Sequence, residues 1–185
     1  MDLRMVKTRR QIKEAFLKLR EKMTPDKIRV KDICELAMIN KTTFYHHYTD
    51  SKALADEIDN HAIDRVLLCF PERDKIFEDP HMYITGLLGA LEREAPNLRA
   101  VFRGKQEILC EKLEARLYEM YGGGVHELED GVLLSFTVGG FVRVIRDYLF
   151  AEEEQTANTK RLADSLSALV EMLLRRRKPA LDRQK

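Results

Sequence analysis

The sequence has little of what fibrous, disulfide-bonded or membrane-spanning chains require. It contains five prolines and nine glycines in 185 residues, too few for a long fibrous or disordered segment. No apolar run approaches the roughly 18 residues that a membrane-spanning helix needs. Residues 1–4 open no apolar stretch, so we expect neither a secretory signal nor a membrane partner. Hydrophobic residues make up 44% and charged residues 34%, which predicts a soluble globular protein.

Cysteine is also scarce. Cys34, Cys69 and Cys110 are odd in number and widely spaced, without a CxxC pair. This pattern argues against a disulfide framework or a zinc site, and it fits a reducing, cytoplasmic location. Because each has apolar neighbours in its segment, we interpret all three as core thiols rather than redox sensors.

The net charge of +1 hides a strong asymmetry along the chain. Residues 1–52 carry a net charge of +6, residues 53–174 carry −10, and residues 175–185 carry +5. A basic N-terminal segment followed by an acidic body predicts that only the first segment binds a polyanion. The alternative is a basic face that is merely solvated.

Apolar residues recur with helical spacing, which predicts an all-α fold. Ile12, Ala15, Phe16 and Leu19 lie at i, i+3, i+4 and i+7 and predict a first helix over about 8–22. The same spacing predicts further helices over about 30–38, 41–47, 51–70, 80–94, 97–121, 127–150 and 157–177.

Capping residues and helix breakers mark the predicted boundaries. Asn40 and Asp50 are suited to N-cap positions. Pro80 and Pro96 are placed as first-turn residues, and each is expected to open a helix. Residues 122–124, three glycines, are expected to end one, because no strand precedes them and no GK[ST] follows to make a phosphate loop.

The segment 28–54 has the pattern of a helix-turn-helix. Two short helices are joined by a three-residue turn, and Ile33, Ile39, Phe44 and Tyr48 point inward to lock them together. The second helix leaves a surface of side chains that can donate to phosphates and base edges in a major groove. These are Lys41, Thr42, Thr43, Tyr45, His46 and His47.

This segment resembles the DNA-binding domain of the tetracycline-repressor-like (TetR/AcrR) family of transcriptional regulators. The family motif matches residues 39–48, INKTTFYHHY, and the resemblance covers residues 7–60. Beyond them, the helix that carries Gly139 and Gly140 resembles the C-terminal domain of Firmicute-type members.

The resemblance implies a division into two domains. An N-terminal three-helix helix-turn-helix domain over 1–52 would be joined, by a helix at about 51–70, to a C-terminal helical ligand-binding and dimerisation domain over 53–185.

The resemblance also implies DNA contacts, residue by residue. Base contacts fall on Lys41, Thr42 and His46, and phosphate contacts fall on Thr43, Tyr45 and His47. Lys31 matches a further DNA-contacting position. The family's usual lysine after the recognition helix is Ser51 here, and Lys52 follows as a candidate phosphate contact. Its usual turn glycine is Met38, which predicts a mildly strained left-handed backbone at that residue.

The function implied is a homodimeric, sequence-specific regulator that binds a near-palindromic operator in double-stranded DNA. Family resemblance favours a repressor that an unknown small-molecule effector releases. The alternative is a TetR-like adaptor or coactivator controlled by a protein partner.

Two sets of residues are candidates for regulation and assembly. The candidate ligand-binding residues, which could equally be core, are Tyr83, Leu87, Phe102, Phe136 and Phe141. A stripe of small residues on one helix and the apolar stripe of the last helix predict an intersubunit four-helix bundle, with packing inside one subunit as the alternative. The candidate dimerisation residues are Gly131, Ser135, Gly139, Leu162, Leu166, Leu169 and Leu173.

No pattern predicts an enzyme, a cofactor or a metal site. Neighbouring His46 and His47 would point about 100° apart on a helix, which prevents easy ligation of one ion. No nucleophile elbow, carboxylate pair or dinucleotide fingerprint is present, so we expect no catalytic residues. The basic residues at 4–10 and 175–178 either contact DNA phosphates or are simply solvated.

Overall fold

The structure is a computed structural model that describes residues 3–68, 78–122, 128–151 and 159–181, without the side chains of 128–130 and 174–181. All regular structure in these ranges is helical, as the apolar spacing predicts. A single 3₁₀ turn spans Pro25–Lys27. The helices are α1 Leu3–Arg20, α2 Val30–Ala37, α3 Lys41–Tyr45, α4 Ser51–Leu68, α5 Pro80–Phe102, α6 Gln106–Tyr121, α7 Leu128–Leu149 and α8 Thr159–Leu181.

The chain divides into two compact units. The first unit is Met1–Ile63 with Pro96–Lys105, and the second unit is Asp64–Ala95 with Gln106–Lys185. Helices α4 and α5 therefore each contribute residues to both units. None of the described helices has the length and apolarity to cross a membrane.

The first unit packs α1, α2, α3, the start of α4 and the end of α5 around one apolar core. Its largest side chains are almost completely removed from water, and burial of each such side chain contributes about 1.5–3 kcal/mol. They are Ile12, Phe16, Ile28, Ile33, Phe44, Leu54, Ile63, Leu98 and Phe102. This core fixes the positions of α2 and α3.

The second unit has its own core, formed by α5, α6, α7 and α8. Ile84, Leu88 and Leu91 on α5 are buried with Leu109 on α6 and Ile145 on α7. Tyr148 on α7 and Thr159 on α8 both hydrogen-bond to Glu92 on α5. These hydrogen bonds lower the pKa of the Glu92 carboxyl, because they stabilise its charged form.

The prediction that Pro96 opens a new helix is wrong. Helix α5 continues through Pro96 to Phe102, and its end is marked by Gly104 in a left-handed conformation (φ 68°). The ring of Pro96 lies on the exposed side of α5, where a lost backbone hydrogen bond is least costly. Leu98, roughly on the opposite side of α5 from Pro96, is buried.

Other boundaries differ by smaller amounts. Helix α1 begins at Leu3, five residues before the predicted start, and its first turns are exposed. Helix α3 ends at Tyr45, so His46 and His47 lie in the turn that follows it.

Candidate nucleic-acid interface

The turn between α2 and α3 has the geometry of a Schellman motif. Met38 adopts φ 55° and ψ 45°, the single non-glycine residue with positive φ among those described. The Ile39 N–H donates to the Cys34 carbonyl at 3.0 Å, and the Met38 N–H donates to the Glu35 carbonyl at 3.3 Å. The prediction of a left-handed backbone at Met38 is therefore confirmed.

Helix α3 has one buried side and one exposed side. Phe44 is completely buried and Tyr48, just after the helix, is 5% exposed, as the helix-turn-helix pattern predicts. The Asn40 side chain accepts from the Thr43 N–H at 2.7 Å and caps the helix. Tyr45 is 55% exposed, and its ring packs edge-on against Phe44 at 5.6 Å between centroids. Tyr45 therefore lies at the surface, next to the buried Phe44.

The eight residues predicted to contact DNA all lie at the surface of the first unit. Thr43 and His47 are half-buried, and the other six are exposed. Lys31 forms an ion pair with Glu35 one turn along α2, at 3.6 Å between exposed groups. Such an exposed pair contributes little stability, so a phosphate can replace Glu35 at small cost.

A charged cluster ties α1 to α4 beside this surface. Glu57 accepts from Arg9 and from Lys13, each at 2.6 Å, and Arg9 also donates to the Tyr48 hydroxyl at 3.2 Å. Partial burial alone would raise the pKa of Glu57, but the bonds from Lys13 and Arg9 outweigh it and lower that pKa. Arg9 thus has a structural role that its position in a basic segment does not reveal.

A buried ion pair lies deeper in the first unit. Arg20 donates to Asp59 at 2.6 Å, and their side chains are 2% and 5% exposed. The Arg20 guanidinium lies about 6.0 Å from the Phe16 ring centroid and 5.8 Å from that of Phe102. This pair was not predicted from the sequence, although Arg20 follows Ile12 and Phe16 at i+8 and i+4 on the apolar face of α1.

The predicted ligand-binding residues separate into three places. Tyr83, Leu87 and Phe141 line a cavity of about 20 Å³ in the second unit, and the Tyr83 hydroxyl bonds that of Tyr121 at 2.6 Å. Phe102 is buried in the first unit beside Arg20, and Phe136 is 78% exposed. Neither of the last two lines this cavity.

The predicted dimerisation residues differ in exposure. Leu166 is buried within the second unit, whereas Leu169 is 52% exposed. Gly131, Gly139, Leu162 and Leu173 are half-buried, and exposed Ser135 accepts from the Tyr118 hydroxyl at 3.0 Å. Val132 and Phe136 on α7 and Met172 on α8, which are outside the predicted set, are more than half exposed. Val132 and Phe136 stand four residues apart and therefore share one face of α7.

The cysteines and histidines form no metal site within the described residues, since no cluster of three or more His, Cys, Asp or Glu could hold an ion there. Cys34 is buried and Cys110 is half-buried, and burial raises the pKa of both thiols. Cys69 lies outside the described residues.

The chain is similar in structure to known proteins. No protein-family model and no curated protein sequence matches the chain. A TetR transcriptional regulator from Streptococcus agalactiae 2603V is similar with a TM-score of 0.59 and 22% identity, over 90% of this chain and 95% of that one. The dihydroxyacetone kinase operon activator DhaS has a TM-score of 0.51 and 15% identity, over 91% and 96%. The chain therefore has the all-α fold of TetR-type transcriptional regulators.

Proposed function

We propose that the protein is a homodimeric transcriptional regulator that inserts residues 41–47 of each subunit into the major groove of a near-palindromic operator. The observation that carries this proposal is the two-sided character of α3. Phe44 and Tyr48 anchor it in the core, while Lys41, Thr42 and Tyr45 face outward. A helix of five residues that exposes a lysine, a threonine and a tyrosine over such an anchor suits base and phosphate contact better than packing.

Substitutions on α3 test this proposal by separating phosphate from base contacts. Tyr45→Phe removes one phosphate hydrogen bond and is expected to weaken binding to all sequences alike, by about 1 kcal/mol. Lys41→Ala is expected to change the preferred sequence as well, because lysine donates to guanine O6 and N7. Binding is measured by mobility shift on the selected operator and on single-base variants of it.

Lys18→Ala is the matched control. Lys18 is an exposed cation of the same unit outside the predicted interface. It is expected to retain the sequence preference. If Lys41→Ala and Tyr45→Phe both bind like the wild type, the proposed position of the recognition helix is wrong.

Dimerisation through α7 and α8 belongs to the same proposal. The exposed apolar side chains Val132, Phe136, Leu169 and Met172 form faces on these two helices that a second copy would cover. A two-fold dimer would present two copies of α3 to half-sites about 34 Å apart or somewhat more.

We propose that the protein represses transcription and that a small-molecule effector relieves this repression. The effector would bind the second unit and shift the population between dimers competent and incompetent for DNA.

One observation favours a second candidate, a TetR-like adaptor or coactivator controlled by a protein partner. The apolar cavity lined by Tyr83, Leu87 and Phe141 holds about 20 Å³, whereas small-molecule sites enclose roughly 300–1,000 Å³. The similar DhaS is itself described as an operon activator. If the protein shows no sequence-specific DNA binding, this second candidate is favoured.

A further inference from the structure

Helix α3 is too short to fix its own orientation. It spans five residues, Lys41–Tyr45, little more than one helical turn. Short helices gain their stability from tertiary packing rather than from their own hydrogen bonds. Two aromatic side chains supply that packing, the fully buried Phe44 and the 5% exposed Tyr48 just after the helix. The orientation of α3 therefore depends on what holds these two rings.

Tyr48 is the polar one of the two rings, and its hydroxyl is bound by α1. Arg9 donates from Nε to this hydroxyl at 3.2 Å, and its guanidinium lies 5.8 Å from the centroid of the Tyr48 ring. The ring packs in turn against Phe44 at 5.8 Å and against His47 at 6.5 Å between centroids. Arg9 is thus in direct contact with one of the two side chains that hold α3 in the core.

The same guanidinium is also bound by α4. Its Nη2 donates to Glu57 at 2.6 Å, and Lys13 donates to the second oxygen of that carboxylate, also at 2.6 Å. Arg9 reaches Tyr48 and Glu57 through two different nitrogens of its planar fork, an arrangement that lysine cannot reproduce with its single ammonium. Arg9 therefore joins α1, α4 and Tyr48 at one point.

An arginine in this basic segment could contact DNA or could act within the protein. Arg9 is 51% exposed, so exposure alone allows a phosphate contact. A phosphate would have to compete with Glu57, which is 29% exposed and forms a short, charge-assisted bond to Arg9. The pair of Lys31 and Glu35 is looser, at 3.6 Å between groups that are 65% and 66% exposed. Geometry therefore favours a role of Arg9 within the protein.

We propose that Arg9 is a positioning residue of the DNA-binding surface. It holds Tyr48, and through Tyr48 the C-terminal end of α3, in the orientation that base recognition requires, and it does so without contacting DNA. The consequence for operator recognition rests on the function proposed above, whereas the effect on α3 and the turn after it does not.

Hydrogen exchange of the free protein tests the positioning itself. The backbone N–H groups of His47 and Tyr48 both donate to the Phe44 carbonyl, at 2.9 and 3.0 Å. Arg9→Met removes both hydrogen bonds of the guanidinium and keeps an unbranched side chain, so these two amides are expected to exchange about fivefold faster. Tyr48→Phe, which removes only the hydroxyl, is expected to have a similar effect.

Lys13→Met is the matched control. It removes a cation from the same carboxylate but leaves the hydrogen bond between Arg9 and Tyr48 in place. Exchange of the His47 and Tyr48 amides is expected to remain as in the wild type. Exchange of the α2 amides shows whether any variant has lost stability throughout the unit rather than in this turn.

Operator binding separates positioning from phosphate contact. Arg9→Met is expected to lower affinity for the selected operator about fivefold and to leave affinity for random duplex DNA unchanged, because misplaced base contacts weaken only specific binding. Arg9→Lys keeps the charge but lacks the fork, so it is expected to lose as much affinity as Arg9→Met. The salt slope is expected to keep its wild-type value in both variants.

A phosphate contact predicts the opposite pattern. Arg9→Met would then weaken binding to operator and random DNA alike and reduce the salt slope by about 2 for two subunits, while Arg9→Lys would bind like the wild type. That pattern would overturn the inference, as would wild-type operator affinity or unchanged exchange of the His47 and Tyr48 amides in Arg9→Met. If the wild type selects no operator, the proposed function fails, and hydrogen exchange alone decides whether Arg9 positions α3.

Discussion

At the scale of single residues, Met38 is the clearest case of a side chain in an unfavourable backbone conformation. Its φ of 55° lies in the left-handed region, and its side chain is 88% exposed. A non-glycine residue in this region carries strain, and no packing of the exposed side chain offsets it.

We expect Met38→Gly to raise the free energy of unfolding by about 1 kcal/mol, because glycine adopts this conformation without strain. Urea denaturation provides the measurement. Glu35→Gly, one turn earlier in the interior of α2, is the matched control and is expected to lower stability by about 1 kcal/mol. A loss of stability in both variants would mean that the Met38 side chain makes a stabilising contact.

At the scale of helices, the buried Arg20–Asp59 pair joins the C-terminal end of α1 to α4. Nε and Nη2 of Arg20 are buried and make no hydrogen bond with the described residues. The hydrogen bonds of the pair therefore do not fully compensate for the free energy lost when its two charges are removed from water. Each charge therefore needs the other as its counter-ion, whereas the pair as a whole adds little to the stability of the unit.

We expect Asp59→Ala to lower the free energy of unfolding by about 3–5 kcal/mol, because it leaves the Arg20 charge buried without a counter-ion. The double variant Arg20→Met with Asp59→Leu removes both charges and is expected to recover most of this loss. A double-mutant cycle by chemical denaturation measures the coupling. Additive losses would contradict the account, since they would mean that the two charges do not interact.

The cluster of Glu57, Arg9 and Lys13 predicts a pH dependence of stability. Because the pKa of Glu57 is lower in the folded state than the unfolded value of 4.5, its contribution is fully present above that value. The contribution is lost as the pH falls through the folded pKa. At neutral pH it amounts to about 1 kcal/mol, since the three groups are partly exposed.

We expect the stability difference between the wild type and Glu57→Gln to shrink as the pH is lowered from about 6 to about 3. Thermal unfolding across this range gives the comparison. Glu35→Gln, in an exposed pair with Lys31, serves as a control with a smaller effect. A difference that stays constant or grows in acid would show that the Glu57 charge does not stabilise the fold.

Local patterns in the sequence predict the helices, but they do not predict the tertiary contacts between them. Apolar spacing predicts the all-α architecture, and the Asn40 and Asp50 caps bond the Thr43 and Ala53 N–H groups, each at 2.7 Å. Whether α5 continues past Pro96 depends on which side of the helix faces the core. Local sequence patterns do not give this information. The same holds for the Glu57 cluster, whose partners lie more than 40 residues away in the chain.

At the scale of the whole molecule, the proposed dimer depends on the α7 surface around Gly139. A Cβ added at Gly139 would meet none of the described atoms beyond its own stretch of helix within 4 Å, so one protomer leaves open space at this position. Gly140, the neighbour of Gly139, lies one turn after the exposed Phe136 on the same helix. Small residues at these two glycine positions would allow a helix of the second copy to approach closely.

We expect Gly139→Leu to weaken dimerisation in sedimentation velocity without lowering protomer helicity, because the added side chain blocks that approach. Ala115→Leu, an exposed position on α6, is the matched control and should sediment like the wild type. Unchanged association of Gly139→Leu would remove α7 from the proposed interface.

The central claim, sequence-specific DNA binding through α3, is tested most directly by selection from a randomised duplex library at about 150 mM salt, followed by a salt titration on the selected site. We expect a palindromic site. If Lys31 and Lys52 of both subunits neutralise phosphates, the logarithm of affinity should fall with that of salt at a slope of about −4. A library that yields no enriched sequence, with only weak binding to any DNA, would contradict the account and point to a protein partner.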